Sequence, residues 1–117
     1  MFEQYFKVIK DKIPSSIGIL IMDNDGLTVE KINWDEKFDV EPVAIEISSL
    51  LNLLRINPEI SKFGLPREVT LNHENFVFII KPIDQNYFIF YAMRRDGNLG
   101  RARFELEKIR FKVKGEL

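Results

Sequence analysis

Four arginines, Arg94, Arg95, Arg101 and Arg103, lie close together around a point where a helix should begin. Guanidinium groups beside the free N–H groups of a helix start are the chemistry of phosphate binding. Asp96, Glu105 and Glu107 are interleaved with them, however, and Arg101/Glu105 and Arg103/Glu107 have the i,i+4 spacing of ion pairs on one helix. The formal net charge is −1, so no global field draws the chain to nucleic acid or to an anionic membrane. The reading is an ion-paired, solvated surface, and nucleic acid is not an expected partner. Asp23-Asn24-Asp25-Gly26 has the oxygens of a calcium loop but lacks the further ligands and the downstream glutamate of an EF-hand. It reads as a hairpin turn. The single histidine, His73, has no acid or nucleophile at motif spacing and reads as a turn residue. The sequence has no glycine-rich phosphate loop, no metal-ligand cluster and no nucleophile–base pair. No catalytic residue, cofactor or metal is therefore expected, and the chain is not read as an enzyme.

The elements that carry these groups follow from hydrophobic periodicity. Phe76 to Ile80 and Tyr87 to Met93 are apolar at odd and even positions alike. A half-buried strand would alternate, so both faces of this hairpin must be covered. Asn98 is placed to cap the next helix, whose stripe is Leu99, Ala102, Leu106, Ile109 and Val113, and Gly115 should end it. Near the start of the chain, residues 2–13 form an amphipathic helix with Phe2, Phe6, Ile9 and Ile13 on one face, closed by Pro14. Ser15 to Met22 is a strand, and Leu27 to Ile32 returns as an edge-like strand that alternates.

Two segments carry apolar surface that one core does not use. From Pro42 a helix runs with Val43, Ile47, Leu50, Leu51 and Leu54 on one stripe. A second stripe holds Ile45, Ser49, Asn52 and Ile56, with Leu53 beside it. Such a helix is buried on two sides; either the loop Asn57 to Leu65 covers the second side, or another protein does, and the second reading is favoured. After that loop, Arg67 to Asn72 alternates, with Val69 and Leu71 against Glu68, Thr70 and Asn72. It reads as a short edge strand, and edges need protection or a mate. The order is helix, strand, strand, helix, strand, strand, strand, helix, with short links that make the strand pairs antiparallel.

Two local motifs together with this order resemble the Roadblock/dynein-light-chain superfamily. One is Gly18-Ile-Leu-Ile-Met22, the turn at Asp23 to Gly26, then Leu27-Thr-Val29; the other is Asn98-Leu-Gly100-Arg-Ala-Arg103-Phe-Glu-Leu106 after an apolar strand. The resemblance covers the whole chain as one domain, residues 1–117. It implies an α+β sandwich: a five-stranded antiparallel sheet in order 2-1-5-4-3, with the first and last helices on one face and the middle helix on the other, as in profilin-like folds. It implies a homodimer that pairs the third strands, Arg67, Glu68, Val69, Thr70, Leu71 and Asn72, and brings the middle helices together. Prokaryotic members of this kind regulate Ras-like small GTPases, some as GTPase-activating proteins that insert no catalytic arginine; eukaryotic members are scaffolds. The partner face would be Ile45, Glu46, Ser49, Asn52, Leu53 and Ile56. The family also implies close helix–strand packing at Gly100.

A small-ligand sensor of the PAS or longin type is the structural alternative. It needs an interior pocket with polar groups, for which the central hairpin offers only Tyr87 and Tyr91. No run reaches the roughly 18 apolar residues of a membrane span, there is no signal-like start, and cysteine is absent. Direct membrane insertion is not expected, and a cytoplasmic location is. Phe104 and Phe111 lie opposite the stripe of the last helix; they either pack on the first helix or form a separate contact.

Overall fold

The computed structural model describes residues 1–117. The elements are α1 (Glu3–Lys12), β1 (Ser16–Asp23), β2 (Thr28–Asn33), α2 (Val40–Ile56), α3 (Pro58–Ser61), β3 (Val69–Asn72), β4 (Phe76–Pro82), β5 (Tyr87–Arg94) and α4 (Leu99–Lys114). All strand pairs are antiparallel and the sheet order is β2-β1-β5-β4-β3. This is the α+β architecture and strand order expected from the resemblance.

Two cores sandwich the sheet. On one face Phe2, Phe6, Ile9 and Ile13 around α1, and Ala102, Leu106, Ile109 and Val113 of α4, pack on Ile19, Ile21, Ile79, Ile89 and Tyr91. On the other, Val40, Ala44, Ile47 and Leu51 of α2 pack on Leu20, Met22, Phe78, Ile80, Phe88 and Phe90. The run of apolar residues in β1, β4 and β5 is explained by this double cover. Ile17 joins the α2 core with Leu20 and Met22, out of the expected alternation. The register shift between Ser16 and Gly18 is the cause: one extra residue re-aims the side chain.

Helix starts differ from the sequence reading by the position of the cap. The middle helix begins at Val40 instead of Pro42, because the Asp39 carboxylate accepts the Glu41 N–H at 3.1 Å and Asn33 Oδ1 accepts that of Val40 at 3.0 Å. Pro42 is tolerated in the first turn, where its missing N–H has no intrahelical partner. Asn98 caps α4 as expected, its Oδ1 accepting the Arg101 N–H at 3.0 Å. Gly115 follows α4 but stays right-handed at φ −72, so it supplies no left-handed stop. The loop Asn57 to Leu65 contains a helical turn, because Asn57 Oδ1 accepts from Glu59 and Ile60 and Pro58 pre-sets the first position. The third strand is shorter than expected, starting at Val69; Arg67 and Glu68 precede it.

Close packing sits at Gly97, where a Cβ would run into Ser15 Oγ and Met93 Cε, and at Gly18, not at the Gly100 of the family motif. A side chain at Gly100 would meet only Asn98 Oδ1, at an ordinary 3.6 Å. At Gly18 a Cβ would run into Val40 Cγ1 and approach the Ile32 carbonyl at 3.3 Å. Gly18 therefore lets the start of α2 lie directly on β1. Gly18→Ala is expected to cost about 1–3 kcal/mol through overpacking, whereas Gly100→Ala should stay within about 0.5 kcal/mol; urea denaturation of the two variants measures both.

Candidate interaction surface

The sequence-predicted partner face lies on the side of α2 turned away from the sheet. Ile45, Glu46 and Ser49 are exposed, Leu53 is 54% exposed and Ile56 75% exposed. The segment after α2 does not cover them. Ile60 is itself exposed, and Phe63, just after α3, is 83% exposed, so this segment adds exposed apolar side chains of its own. Sequence reasoning missed them because an isolated turn of four residues has no periodicity to read.

Asn52 has another task. It is only partly exposed, and its Nδ2 donates to the Asn24 carbonyl at 3.2 Å. Asn24 is a hub where the β1–β2 turn, the β4–β5 turn and the end of α2 meet. Its N–H donates to the Asn86 carbonyl at 3.0 Å, its Nδ2 to the Gln85 carbonyl, and its Oδ1 accepts from Arg55 Nη1. Burial lowers the pKa of the Arg55 guanidinium, and the nearby Asp84 opposes that shift. Within the Asp23–Gly26 turn, Asp23 Oδ1 accepts the N–H groups of Asp25 and Leu27 at 2.9 and 3.0 Å, and Gly26 supplies the positive φ of 84.

The β3 strand borders this surface. It pairs with β4 on one side only. Val69 and Leu71 turn toward the α2 core. Glu68 and Thr70 turn toward α4, where Arg103 Nε meets Glu68 at 3.0 Å and Arg103 Nη2 donates to Thr70 Oγ1 at 3.1 Å. Asn72 is exposed, and Arg67 lines a cleft beside Lys81, Arg110 and Lys114. Between α2 and β3 runs an apolar groove of about 470 Å³ lined by Pro42, Val43, Glu46, Ile47, Leu71, His73 and Phe78. His73, read from sequence as a turn residue, does donate its N–H to the Phe76 carbonyl at 2.9 Å, and its ring also packs on Phe78 with centroids 4.9 Å apart. The groove was invisible in the sequence because it joins residues of three separate elements.

The arginines do not converge on one point. Arg94 pairs with Asp35 at 2.5 Å and Arg103 with Glu68. The expected Arg101/Glu105 and Arg103/Glu107 pairs are absent. Glu105 turns inward, 2% exposed, to Lys12 at 3.5 Å and Lys108 at 3.3 Å, and Glu107 takes Lys81 at 2.8 Å and Arg110 at 2.5 Å. Tertiary neighbours outcompete helical spacing here. The interior is filled as well: Phe88, Phe90 and Tyr91 are fully buried, and Tyr91 shares a 2.5 Å hydrogen bond with Ser16 Oγ. Burial pushes the Tyr91 phenol up to about 12.

Sheet order, helix placement and the open β3 edge define a domain of the Roadblock/LC7 fold, and the resemblance read from the two sequence motifs holds. Among solved structures, MglC from Myxococcus xanthus is similar over 99% of this chain and 98% of its own, at 28% identity and a TM-score of 0.69. A Roadblock/LC7 domain from Streptomyces avermitilis matches over 94% of this chain and 92% of its own, at 14% identity and a TM-score of 0.81. Myxococcus xanthus MglB matches over 97% and 92%, at 9% identity and a TM-score of 0.80. No protein-family model and no curated protein sequence matches the chain.

One ion cluster holds the flank of the edge strand to α4. The hydrogen bond from Arg110, with help from Lys81, brings Glu107 from its ordinary 4.5 down to about 2. Its contribution to stability is therefore complete above pH 4.5 and is lost as the pH falls toward 2. Glu107→Gln is expected to lower the urea midpoint at pH 7 and to leave it nearly unchanged near pH 2.

Proposed function

We propose that this chain is a non-catalytic regulator or scaffold of a Ras-like small GTPase and acts as a homodimer. The observation that carries the reading is the exposed apolar side of α2 beside an unpaired β3 edge. Exposed apolar patches of this kind mark interaction sites, and an open edge takes a further strand. Antiparallel pairing of β3 with its copy gives a continuous ten-stranded sheet with two α2 helices side by side on one face. The groove between α2 and β3 receives side chains of the partner copy. The likeness to MglC, MglB and a Roadblock/LC7 domain supports the fold on which this reading rests, and a further similar structure is that of MglB with a tetrameric arrangement.

The paired α2 helices form a platform on which the GTPase rests, through Ile45, Glu46, Ser49, Leu53 and Ile56. Asn52 supports the platform from beneath by holding the Asn24 turn. The switch regions of a GTPase change order with the γ-phosphate. A platform that prefers one switch state shifts the GTPase toward it, by no more than its differential affinity for the two. Activation of hydrolysis, where it occurs, then comes from the GTPase's own groups. An arginine finger is worth 10³–10⁵ in rate, yet Arg94 and Arg103 are engaged in ion pairs with different partners, Asp35 and Glu68. The sensor alternative is disfavoured by the occupied Tyr91 hydroxyl and by the aromatic side chains that fill the core.

Two measurements test this. Light scattering should give twice the chain mass, and Leu53→Asp together with Ile56→Asp should give a monomer; a wild-type monomer at tens of micromolar would remove the homodimer. Calorimetry with a Ras-like GTPase of the source organism should then show unequal affinities for the GDP-loaded and GTP-analogue-loaded forms. No single Arg→Ala change should abolish activation while sparing binding. Equal affinities would leave a scaffold, and no binding to any such GTPase would end the reading.

A further inference from the structure

A second exposed apolar feature lies on the opposite face of the sheet. Phe104 and Phe111 of α4 are 62% and 77% exposed. They do not pack on α1; both stand on the crest of α4, opposite its buried stripe of Ala102, Leu106, Ile109 and Val113. Seven residues separate them, two helical turns or about 10.5 Å along the axis. Two large aromatic rings in this position contribute nothing to the core.

Their surroundings are cationic although the whole chain is not. Residues 99–116 contain six Lys or Arg side chains and three glutamates, in a chain of net charge −1. Those glutamates are already occupied. Glu105 is buried and shared by Lys12 and Lys108, Glu107 is held by Lys81 and Arg110, and Glu116 accepts the Tyr5 hydroxyl at 2.7 Å. Arg101, Lys112 and Lys114 have no carboxylate partner, and Lys108 lies 5.1 Å over the Phe104 ring. Lys112 lies over Tyr5 at 5.4 Å, at the seam between α4 and α1. Arg101, Lys112 and Lys114 thus leave uncommitted positive charge on the helix that carries the rings, and α1 beside it adds Lys7, Lys10 and Lys12 against Glu3 and Asp11.

We propose that the outer face of α1 and α4 docks onto an anionic lipid bilayer. Phe104 and Phe111 enter the interfacial layer, and Arg101, Lys108, Lys112 and Lys114 meet the headgroups. Charge complementarity selects an anionic partner. A second copy of this face would oppose its own cations. Rings on a convex crest enter a soft planar layer without matching pockets, whereas an acidic protein segment would have to supply those pockets. No helix is long and apolar enough to cross a membrane, so this is surface attachment, with aromatic burial and charge as its two signals.

The strength of attachment, though not its existence, rests on the proposed dimer. Two copies of β3 paired antiparallel about a two-fold axis keep equivalent faces on the same side. Both α1–α4 layers would then face one bilayer, with both α2 helices directed away from it. Two weak contacts on one rigid sheet act together.

The test is sedimentation of the full chain with vesicles of phosphatidylcholine alone or mixed with phosphatidylglycerol. Binding is expected only to the mixed vesicles, and added salt should weaken it. Phe104→Ser with Phe111→Ser should weaken it by about tenfold or more, as should Arg101→Glu with Lys112→Glu. Phe104, Phe111 and Lys112 are exposed, so the phenylalanine variant should keep the circular dichroism, dimer mass and GTPase affinity of the wild type, and Arg101→Glu with Lys112→Glu, which leaves the Lys108–Glu105 pair intact, should keep them too. The monomeric Leu53→Asp, Ile56→Asp variant should still bind mixed vesicles, more weakly. Wild-type protein that ignores mixed vesicles, or a phenylalanine double variant that binds them equally, would overturn the proposal and leave the dimer and GTPase reading intact. Loss of GTPase affinity in the phenylalanine variant, without vesicle binding by the wild type, would assign the face to a protein partner instead.

Discussion

The structure depends on one constraint: its central strands are apolar on both sides. Ile19 and Ile21 of β1 point to one face and Leu20 and Met22 to the other, and β5 beside it divides in the same way between Ile89 and Tyr91 and between Phe88 and Phe90. Neither strand is stable unless helices cover both faces. Two helices, α1 and α4, share one face, while α2 takes the other face with little help. The buried side of α2 is consumed in that task. Its other side, apolar as well, is left outside. The same arithmetic of cover leaves β3, four residues long, as an edge with one neighbour.

What the chain can do follows from where its polar groups are committed. Asn24 satisfies two turns and the end of α2 at once. Glu68, Lys81, Arg103, Glu107 and Arg110 hold the edge-strand flank to α4. The Tyr91 hydroxyl is buried against Ser16. These groups stabilise the scaffold and do not converge on a reacting atom. The surface that remains uncommitted is apolar on the α2–α3 side and aromatic and cationic on the α4 side. Recognition is the chemistry such surfaces support.

Much of the fold was legible because it is written in periodicity. The non-alternating runs of β4 and β5 demanded double cover, which the structure supplies, and the second apolar stripe of α2 is left exposed. Legibility failed where a feature depends on tertiary neighbours. Helical spacing paired Arg101 with Glu105, but Glu105 turned inward to Lys12. Asn52 was placed on the partner face by its position on the wheel, and its second task, donating to the carbonyl of Asn24, distant in sequence, was not legible. Gly100 was given a packing role by its motif, while the close approaches occur at Gly97, just before α4, and at Gly18, where α2 reaches β1. The apolar groove beside β3 and the exposure of Ile60 and Phe63 required the three-dimensional arrangement to be seen at all.

The central claim is that the open β3 edge is completed by a second copy of the chain. Hydrogen–deuterium exchange at high and low protein concentration tests it most directly, because only intermolecular pairing makes strand protection depend on concentration. The amides of Val69–Asn72 that do not bond to β4 should be protected at high concentration and exchange rapidly on dilution, together with a change in the outer side of α2. If those amides exchange rapidly at every concentration, while β4 and β5 remain protected, the edge is open in solution and the dimer account is wrong.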